Sequence, residues 1–367
     1  MLRFHPALRV SLCAVLLLAL SVFALPGSQA LAKTEGLDRA PFVIEEGSPA
    51  PVPAAEGFQS FAPEEADQVL AFAQRAYELG LMAADEPLCF RTDVEFVPGS
   101  VIHCYCDESI LVICWKELID GNTCSFVETR IGDGSQLRRK FVNDTFGDPN
   151  QYYASEIAAG VNAVVAMNAD YYLFRDLGIV VYDRQLYRMD FTPYGDYQKY
   201  NCIENCFVTA EGDFLFSYKG QEWDEESLRQ YLADNDILFS IAFGPVLVDQ
   251  GELRVCDGYP MGEVGLGYSR AGIGQLGKLH YLYMSLNHSP QKEARWTVNT
   301  FAQHFWEKGV WNAYCLDGGQ TSEIVMLGQP YNYIDFGKER TVSDILYFAT
   351  SVPNDPAAEV PPVEPEA

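Results

Sequence analysis

The chain is poor in basic residues and in histidine. Lysine and arginine together number 25 against 51 aspartates and glutamates, and there are five histidines. The formal net charge of −26 repels polyanions at long range, so we expect no nucleic acid partner. Beyond residue 32 no apolar stretch is long enough to span a bilayer, and no repeat period is found. With 48% hydrophobic residues, the 367-residue chain can bury a sizeable core.

The N-terminal residues have the pattern of a secretory signal peptide. Arg3 and Arg9 form a basic start, residues 11–25 are apolar, and residues 30–32 (Ala-Leu-Ala) provide a cleavage site. We therefore expect residues 1–32 to be removed and the protein to be secreted or to act on the extracellular face of the cell envelope. The alternative is an uncleaved anchor, which would be the protein's only membrane contact. The short apolar run and the Pro-Gly pair after it argue against that anchor.

Export allows disulfides, and ten cysteines are present. Cys13 lies within the leader, so nine remain, enough for up to four bridges and one free thiol. Cys104 and Cys106 lie two apart in a predicted strand and face the same side, which favours bonds to neighbouring strands. The alternative, a zinc site built from cysteines between residues 104 and 124, lacks the paired C-x-x-C spacing.

The apolar patterns predict one mixed α/β (α+β) domain over residues 61–350, with mostly short strands and a few helices. A Pro- and Glu-rich linker at residues 33–60 and an acidic, Pro-rich tail at residues 351–367 flank it, and we expect both to be disordered. Helices are predicted at residues 63–82, 154–160, 225–233 and 294–308. Strands are predicted at residues 101–106, 110–119, 124–131, 161–168, 178–183, 185–191, 205–210, 213–218, 241–253 (a turned pair), 278–286, 311–316, 323–327 and 343–349.

One stretch, AYCLDGGQTSEIV at residues 313–325, places an acid at the end of a predicted strand. Two glycines follow Asp317 and permit positive φ or a close approach to the backbone. The N–H groups and hydroxyls around Thr321 and Ser322 could form a concave nest for an anion. Asp317 beside such donors suits a general base, a nucleophile or a metal ligand. The alternative is a tight turn capped by an aspartate.

Four further stretches carry polar groups or glycines near predicted strands. AMNADYYLFRDLG (residues 166–178) presents Asn168, Asp170 and Arg175, together with two tyrosines of which one or both could stack on a sugar or pack in the core. SRAGIGQLG (residues 269–277) places Arg270 before spaced glycines, an arrangement suited to binding phosphate oxygens. Arg340 lies in KERTVSDILYF, and FGPVLVDQGE is a largely structural strand.

Taken in order, these five stretches resemble the phosphodiester glycosidase family. The matching patterns are N-x-D-Y-Y, F-G-P-V-L-V-x-x-G, R-x-x-I-G-Q, L-D-G-G-x-[ST]-S and E-R-x-V-S-D. Bacterial members are connected with exopolysaccharide biosynthesis. The resemblance implies a phosphodiester-glycosidase-like catalytic domain whose loops converge on one pocket. Ala169 and Gln320 stand where members commonly have glycine, and residues 287–296 lack a D-G-R pattern that members often show.

The reaction implied is hydrolysis of the bond between a sugar and a phosphodiester, with a phosphorylated glycan or sugar-1-phosphodiester as substrate. A phosphate leaving group needs charge stabilisation more than a proton, so arginines are informative. The candidate catalytic residues are Asp317 and, as second carboxyl group, Asp170 or Glu323. The candidate substrate-binding residues are Asn168, Arg175, Arg270, Gly318, Gly319, Thr321, Ser322 and Arg340. No cofactor is implied, although a divalent cation is possible. A catalytically silent secreted protein that binds sugar phosphates or cell-wall polymers is the alternative, and a purely structural acidic surface protein is a third.

Overall fold

The computed structural model describes residues 52–83, 85–175, 177–189, 203–260, 265–286 and 296–352. The predicted signal peptide, the first part of the predicted linker and the tail from residue 353 lie outside these ranges. Strands are numbered along the chain as β1 to β21 and helices as α1 to α4. All strand pairs are antiparallel.

The largest sheet has nine strands. In spatial order they are β1 (Phe58–Phe61), β2 (Ile102–Cys106), β3 (Ile110–Ile119), β4 (Asn122–Ile131), β16 (His280–Leu286), β15 (Arg270–Gly277), β17 (Asn312–Leu316), β13 (Val246–Asp249) and β14 (Glu252–Leu253). The β3–β4 hairpin turns at Asp120 and Gly121, both with positive φ, as two-residue hairpin turns require. The predicted linker is wrong at its C-terminal end, because β1 begins at Phe58 and pairs with β2.

A five-stranded sheet packs against the nine-stranded sheet. Its strands in order are β19 (Gln329–Pro330), β18 (Ile324–Met326), β7 (Val165–Asn168), β21 (Asp344–Phe348) and β5 (Leu137–Phe141). The smaller sheets are β11 (Phe214–Ser217), β10 (Asn205–Thr209) and β12 (Ile237–Ile241); β20 (Thr341–Val342) with β6 (Tyr152–Tyr153); and β8 (Val180–Tyr182) with β9 (Gln185–Arg188).

The helices are α1 (Ala66–Glu78), α2 (Ala154–Gly160), α3 (Glu225–Asp234) and α4 (Val298–Glu307). The apolar face predicted for α4 is confirmed, since Val298, Phe301, Ala302 and Phe305 are all buried. His304 on the same helix was expected on the solvated surface, but its ring stacks on Trp296 with a centroid distance of 4.0 Å. None of the described helices is long and apolar enough to cross a membrane.

The core is layered, because side chains alternate across the nine-stranded sheet. On β3, Ile113 and Trp115 pack in a cluster with α1 and α4, whereas Val112 and Cys114 pack in a cluster with the five-stranded and three-stranded sheets. Helix α2 covers the far face of the five-stranded sheet. The mixed α+β fold expected from the sequence is confirmed, and the D-G-G loop leaves the sheet where β17 ends.

One predicted strand pair differs in its first half. The chain leaves the three-stranded sheet at Ile241 and enters the nine-stranded sheet at Val246. Between them Gly244 has φ +78° and packs under the Tyr259 ring, which interrupts a continuous strand. This break lets residues 241–253 join two sheets.

The predicted disulfides are absent among the described cysteines, and this corrects the expectation from the export pattern. Eight cysteines are free thiols: Cys89, Cys104, Cys106, Cys114, Cys124, Cys206, Cys256 and Cys315. Seven of them are buried and act as small apolar side chains in the sheets, and burial raises the pKa of thiols such as Cys206. Cys202 lies outside the described residues. No group of three His, Cys, Asp or Glu side chains in the described ranges forms a metal-ligand cluster, which includes the cysteines at 104–124.

Candidate active site

Two strand ends from different sheets meet at Asp317. Its backbone N–H donates to the carbonyl of Ala169 (3.2 Å), and its carbonyl accepts from Asn168 Nδ2 (2.6 Å). Asn168 is the last residue of β7, and Asp317 follows the last residue of β17. Residues 149 positions apart are therefore held together by two hydrogen bonds.

The Asp317 carboxylate lies in a partly buried, positively charged environment. Its Oδ2 accepts from Thr321 Oγ1 (2.8 Å), and its Oδ1 accepts from the Gly318 N–H (3.0 Å). Burial raises the pKa of Asp317 to about 6, while the Thr321 hydrogen bond and the charges of Arg340 and Arg175 act in the opposite direction. The group is therefore mostly ionised at neutral pH, with two guanidinium groups in electrostatic reach.

The two glycines of the loop are needed for different reasons. A Cβ on Gly318 would lie 2.5 Å from the Ser269 carbonyl oxygen, so this position has no room for a side chain. Gly319 has φ +70° and open space around it, so its requirement is conformational. Its N–H donates to the same Ser269 carbonyl (3.0 Å), which joins the loop to the start of β15.

The predicted anion nest is not formed by the N–H groups of this loop. The Gly318 N–H binds the Asp317 carboxylate, the Gly319 N–H binds Ser269, and the Ser322 N–H donates to the Gly319 carbonyl (3.2 Å). These donors are used inside the protein because the loop is a tight 3₁₀ turn. The Ser322 hydroxyl is buried without a hydrogen-bond partner in the structure.

Arg270, predicted to clamp phosphate, is buried and turned toward backbone carbonyls. Its Nη2 donates to Leu266 (2.6 Å) and its Nε to Trp296 (3.4 Å). Its charge lowers the pKa of the Cys315 thiol, although burial, the larger effect, raises it. The structure thus places the Arg270 backbone beside the loop and binds its guanidinium to the frame around it.

Asp170, the first alternative for a second carboxyl group, is fully engaged in the core. Its Oδ1 pairs with Arg139 Nη2 (2.8 Å) and accepts from the Tyr172 N–H (2.8 Å), and its Oδ2 accepts from the Ala242 N–H (2.8 Å). Arg139 Nη2 also pairs with Asp344 (2.6 Å). The side chains of this triad are 0–1% exposed. Asp170 therefore joins strands and does not present a carboxylate to solvent.

Glu323, the other alternative, is a buried carboxyl group that shares a hydrogen bond with Glu339. Burial, followed by the hydrogen bond and the charge of Glu339, raises the pKa of Glu323 to about 9. Glu339 is fixed in turn by Ser155, whose hydroxyl (2.8 Å) and N–H (3.1 Å) both donate to it. Glu323 therefore keeps its proton at neutral pH, and its Oε1 has no hydrogen-bond partner in the structure.

Tyr283 connects the two carboxyl groups. Its hydroxyl donates to Asn168 Oδ1 (2.7 Å) and lies 3.4 Å from the Glu323 carbonyl. Burial first, and then the charges of Glu323 and Asp317, raise the pKa of Tyr283. Sequence reasoning missed this residue because alternate apolar positions on β16 look like ordinary core. It also missed Glu339, although the residue stands beside Arg340 in the matched E-R pattern.

The two tyrosines after Asp170 have different environments. Tyr172 is buried, 4.4 Å from the Phe141 ring. Tyr171 is half-buried, stacks on the exposed Phe174 (4.7 Å) and has the Arg175 guanidinium over its other contacts at 5.2 Å. Only Tyr171 of the pair lies on the side where Arg175 acts on Asp317.

The two positions that depart from the family's glycines are compatible with this loop. Among the described non-glycine residues with positive φ, neither Ala169 nor Gln320 occurs. Gln320 Nε2 donates to the Lys338 carbonyl (3.1 Å), which links the loop to the segment that carries Glu339. Residues 287–295, where the D-G-R pattern was missed, lie outside the described residues.

Comparison with known proteins gives one family match. The sequence model of the phosphodiester glycosidase family matches residues 157–349, more than half of the chain. The SPbeta prophage-derived uncharacterized protein YomE of Bacillus subtilis (strain 168) is 27% identical over 212 residues, which are 57% of this chain and 31% of that protein. The chain thus matches about a third of the length of this relative.

Solved structures of similar fold include two with low sequence identity. The zebrafish N-acetylglucosamine-1-phosphodiester alpha-N-acetylglucosaminidase catalytic domain, auto-inhibited by its pro-peptide, is 17% identical with a TM-score of 0.49, over 65% of this chain and 82% of that chain. A hypothetical protein from Synechocystis is 16% identical with a TM-score of 0.47, over 71% of this chain and 65% of that chain.

Proposed function

The chain belongs to the phosphodiester glycosidase family, and we propose that it hydrolyses the bond between a sugar and a phosphodiester in a glycan or cell-surface polysaccharide. One observation carries the proposal. Asp317 and Glu323 surround the same tyrosine hydroxyl, and their environments push their pKa values apart, to about 6 and about 9. A pair of carboxyl groups in opposite protonation states is what glycosidic hydrolysis requires.

In this mechanism the sugar–oxygen bond breaks at the anomeric carbon. The phosphomonoester leaves with the electron pair of that bond, and the oxygen of a water molecule bonds to the anomeric carbon. The ionised Asp317 stabilises the oxocarbenium-like centre or takes a proton from the water. Glu323 donates a hydrogen bond or its proton to the departing phosphate oxygen.

The charge on the departing phosphate is matched by arginine. Arg340 and Arg175 are the guanidinium groups whose charges act on Asp317, and in this proposal they bind the phosphate oxygens of the substrate. Tyr171, half-buried beside Arg175, offers a ring face for the sugar. The leader-like residues 1–32 support the further proposal that the protein works outside the cytoplasm.

The test is release of sugar from a panel of methylumbelliferyl-phospho-sugars, in which phosphate bridges the fluorophore and the anomeric carbon. We expect kcat/KM to fall about 10²–10⁴-fold in both Asp317→Asn and Glu323→Gln. The matched control is Glu226→Gln, the same change of carboxyl to amide at an exposed position of α3, which should retain activity. Circular dichroism confirms that each variant is folded.

The proposal fails if wild type hydrolyses no sugar of the panel, or if turnover survives both substitutions. Saturable binding of the substrates without turnover would instead identify a sugar-phosphate binding protein on the same scaffold.

A further inference from the structure

A second cleft lies away from the D-G-G loop. It has a volume of about 560 Å³ and is bordered by β11, by the turn between β13 and β14 and by the ends of β15 and β17. This volume falls within the usual range for ligand sites, about 300–1,000 Å³. None of its lining residues takes part in the proposed hydrolysis.

The cleft and the catalytic loop are at opposite ends of the same two strands. Strand β17 begins at Asn312, which lines the cleft, and ends immediately before Asp317. Strand β15 runs the other way, from Arg270 beside the loop to Gly277 at the cleft. A rise of about 3.3 Å per residue separates the two sites by about 15–20 Å.

An exposed indole forms one wall. Trp311 is 53% exposed although its backbone is fixed, because its N–H donates to the Gln275 carbonyl and its carbonyl accepts from the Gly251 N–H, both at 2.7 Å. One edge of the ring lies over Gly251, where an added Cβ would be 3.3 Å away. A large aromatic surface held rigidly and left open to solvent marks an interaction site.

Hydrogen-bonding groups converge on the same cleft. Tyr218 donates its hydroxyl to Asp249 Oδ2 (2.8 Å), and both residues line the cavity. Gln250, between β13 and β14, is exposed, and its N–H is held by Asn312 Oδ1 (2.9 Å). An aromatic face beside hydroxyl, carboxylate and amide groups suits the alternating C–H faces and hydroxyls of a pyranose ring.

The charge of the cleft selects among sugars. Lys278 is already shared between Asp213 and Glu211, each 2.8 Å from its Nζ. With Asp249 also present, carboxylates outnumber the single ammonium group. Such a lining disfavours phosphate and uronate groups by like-charge repulsion and accepts neutral or N-acetylated sugars.

We propose that this cleft is a second saccharide-binding site, in which Trp311 stacks on a neutral or N-acetylated sugar of a glycan chain. Its spacing from Asp317 allows the same polymer to lie across both sites. Binding here does not depend on the catalytic proposal, because it involves different residues and needs no turnover.

The test is calorimetric titration of the full chain with chitotetraose, cellotetraose and maltotetraose, with an alginate tetramer as the anionic contrast. We expect at least one neutral oligosaccharide to bind and the alginate tetramer not to bind. Trp311→Ala should raise the dissociation constant at least about tenfold, and Trp311→Phe should raise it less because a ring remains. Asp317→Asn should bind like wild type, which separates the cleft from the catalytic loop.

Tyr187→Ala is the matched control, since Tyr187 is an exposed aromatic residue on β9 that does not line the cleft. Hydrolysis of the small methylumbelliferyl substrates should be unchanged in Trp311→Ala. The proposal is overturned if no neutral oligosaccharide binds, if Trp311→Ala binds as tightly as wild type, or if the alginate tetramer binds more tightly than the neutral sugars.

Discussion

Replacing Gly318 by alanine tests the contact that joins the catalytic loop to β15. The new Cβ would lie 2.5 Å from the Ser269 carbonyl oxygen, well inside van der Waals contact. That oxygen belongs to the backbone and also accepts the Gly319 N–H, so it has little freedom to move. The loop itself must therefore shift, and Asp317 shifts with it.

The expected cost follows from the geometry. Inserting a methyl group where no space exists destabilises a folded protein by about 1–3 kcal/mol. A displacement of the reacting carboxylate by about 1 Å lowers turnover by about 10²-fold. At Gly319 no atom lies within 4 Å of a new Cβ, so alanine costs only the positive-φ penalty of about 1–2 kcal/mol.

Asparagine separates the two causes, because it tolerates the left-handed conformation but is larger than alanine. We expect Gly319→Asn to recover most of the stability lost in Gly319→Ala, whereas Gly318→Asn should be at least as destabilised as Gly318→Ala. Urea unfolding followed by tryptophan fluorescence measures the free energy, and the methylumbelliferyl assay measures turnover. Gly277→Ala, which has open space and no positive φ, is the control. The reasoning is refuted if Gly318→Ala unfolds within about 0.5 kcal/mol of wild type.

Three further predictions concern the ionisable groups. Because the folded pKa of Glu323, about 9, exceeds its ordinary value of 4.5, the stability that its protonated form provides is complete below pH 4.5 and is lost as pH rises toward 9. This loss is at most about 1.4 kcal/mol per pH unit from this group; Glu323→Gln should flatten it, and parallel unfolding curves from pH 5 to 9 would contradict the assignment. In the hydrolysis assay, kcat/KM should rise through about pH 6 as Asp317 ionises and fall through about pH 9 as Glu323 loses its proton; a flat profile from pH 5 to 10 would argue against this pair. Arg139→Met leaves two buried aspartates without their cation and should destabilise the fold by about 3–5 kcal/mol, whereas Arg138→Met, at the neighbouring, less buried position, should cost little; equal effects would count against the triad.

The secondary structure could be predicted from the sequence because its signals are local. The hairpin at Asp120 and Gly121 was visible as a turn between two apolar runs, and the apolar face of α4 as a helical spacing. Local signals failed where a tertiary contact intervened. Phe58 lies in a Pro- and Glu-rich stretch, yet it forms β1 because β2 offers an unpaired edge and Gly57 fits against the Tyr105 ring.

The choice of the second carboxyl group could not be made from the sequence. Asp170 and Glu323 are both acids beside apolar runs, and each stands in or beside a matched motif. Arg139 and Asp344 hold Asp170 inside the core, while Glu339 holds the proton on Glu323. These partners are distant in the chain, so no pattern of neighbouring residues records them.

The sequence by itself determined the order of strands and helices, the acidic surface and the position of Asp317 at a strand end, since apolar period, charge count and turn residues are properties of neighbouring positions. Only the tertiary structure decided which side chains meet there. It placed Asn168 on Asp317, kept the eight described thiols apart as free cysteines and exposed Trp311 in a second cleft. Burial, protonation and shape depend on contacts between distant residues, and those contacts exist only in the folded chain.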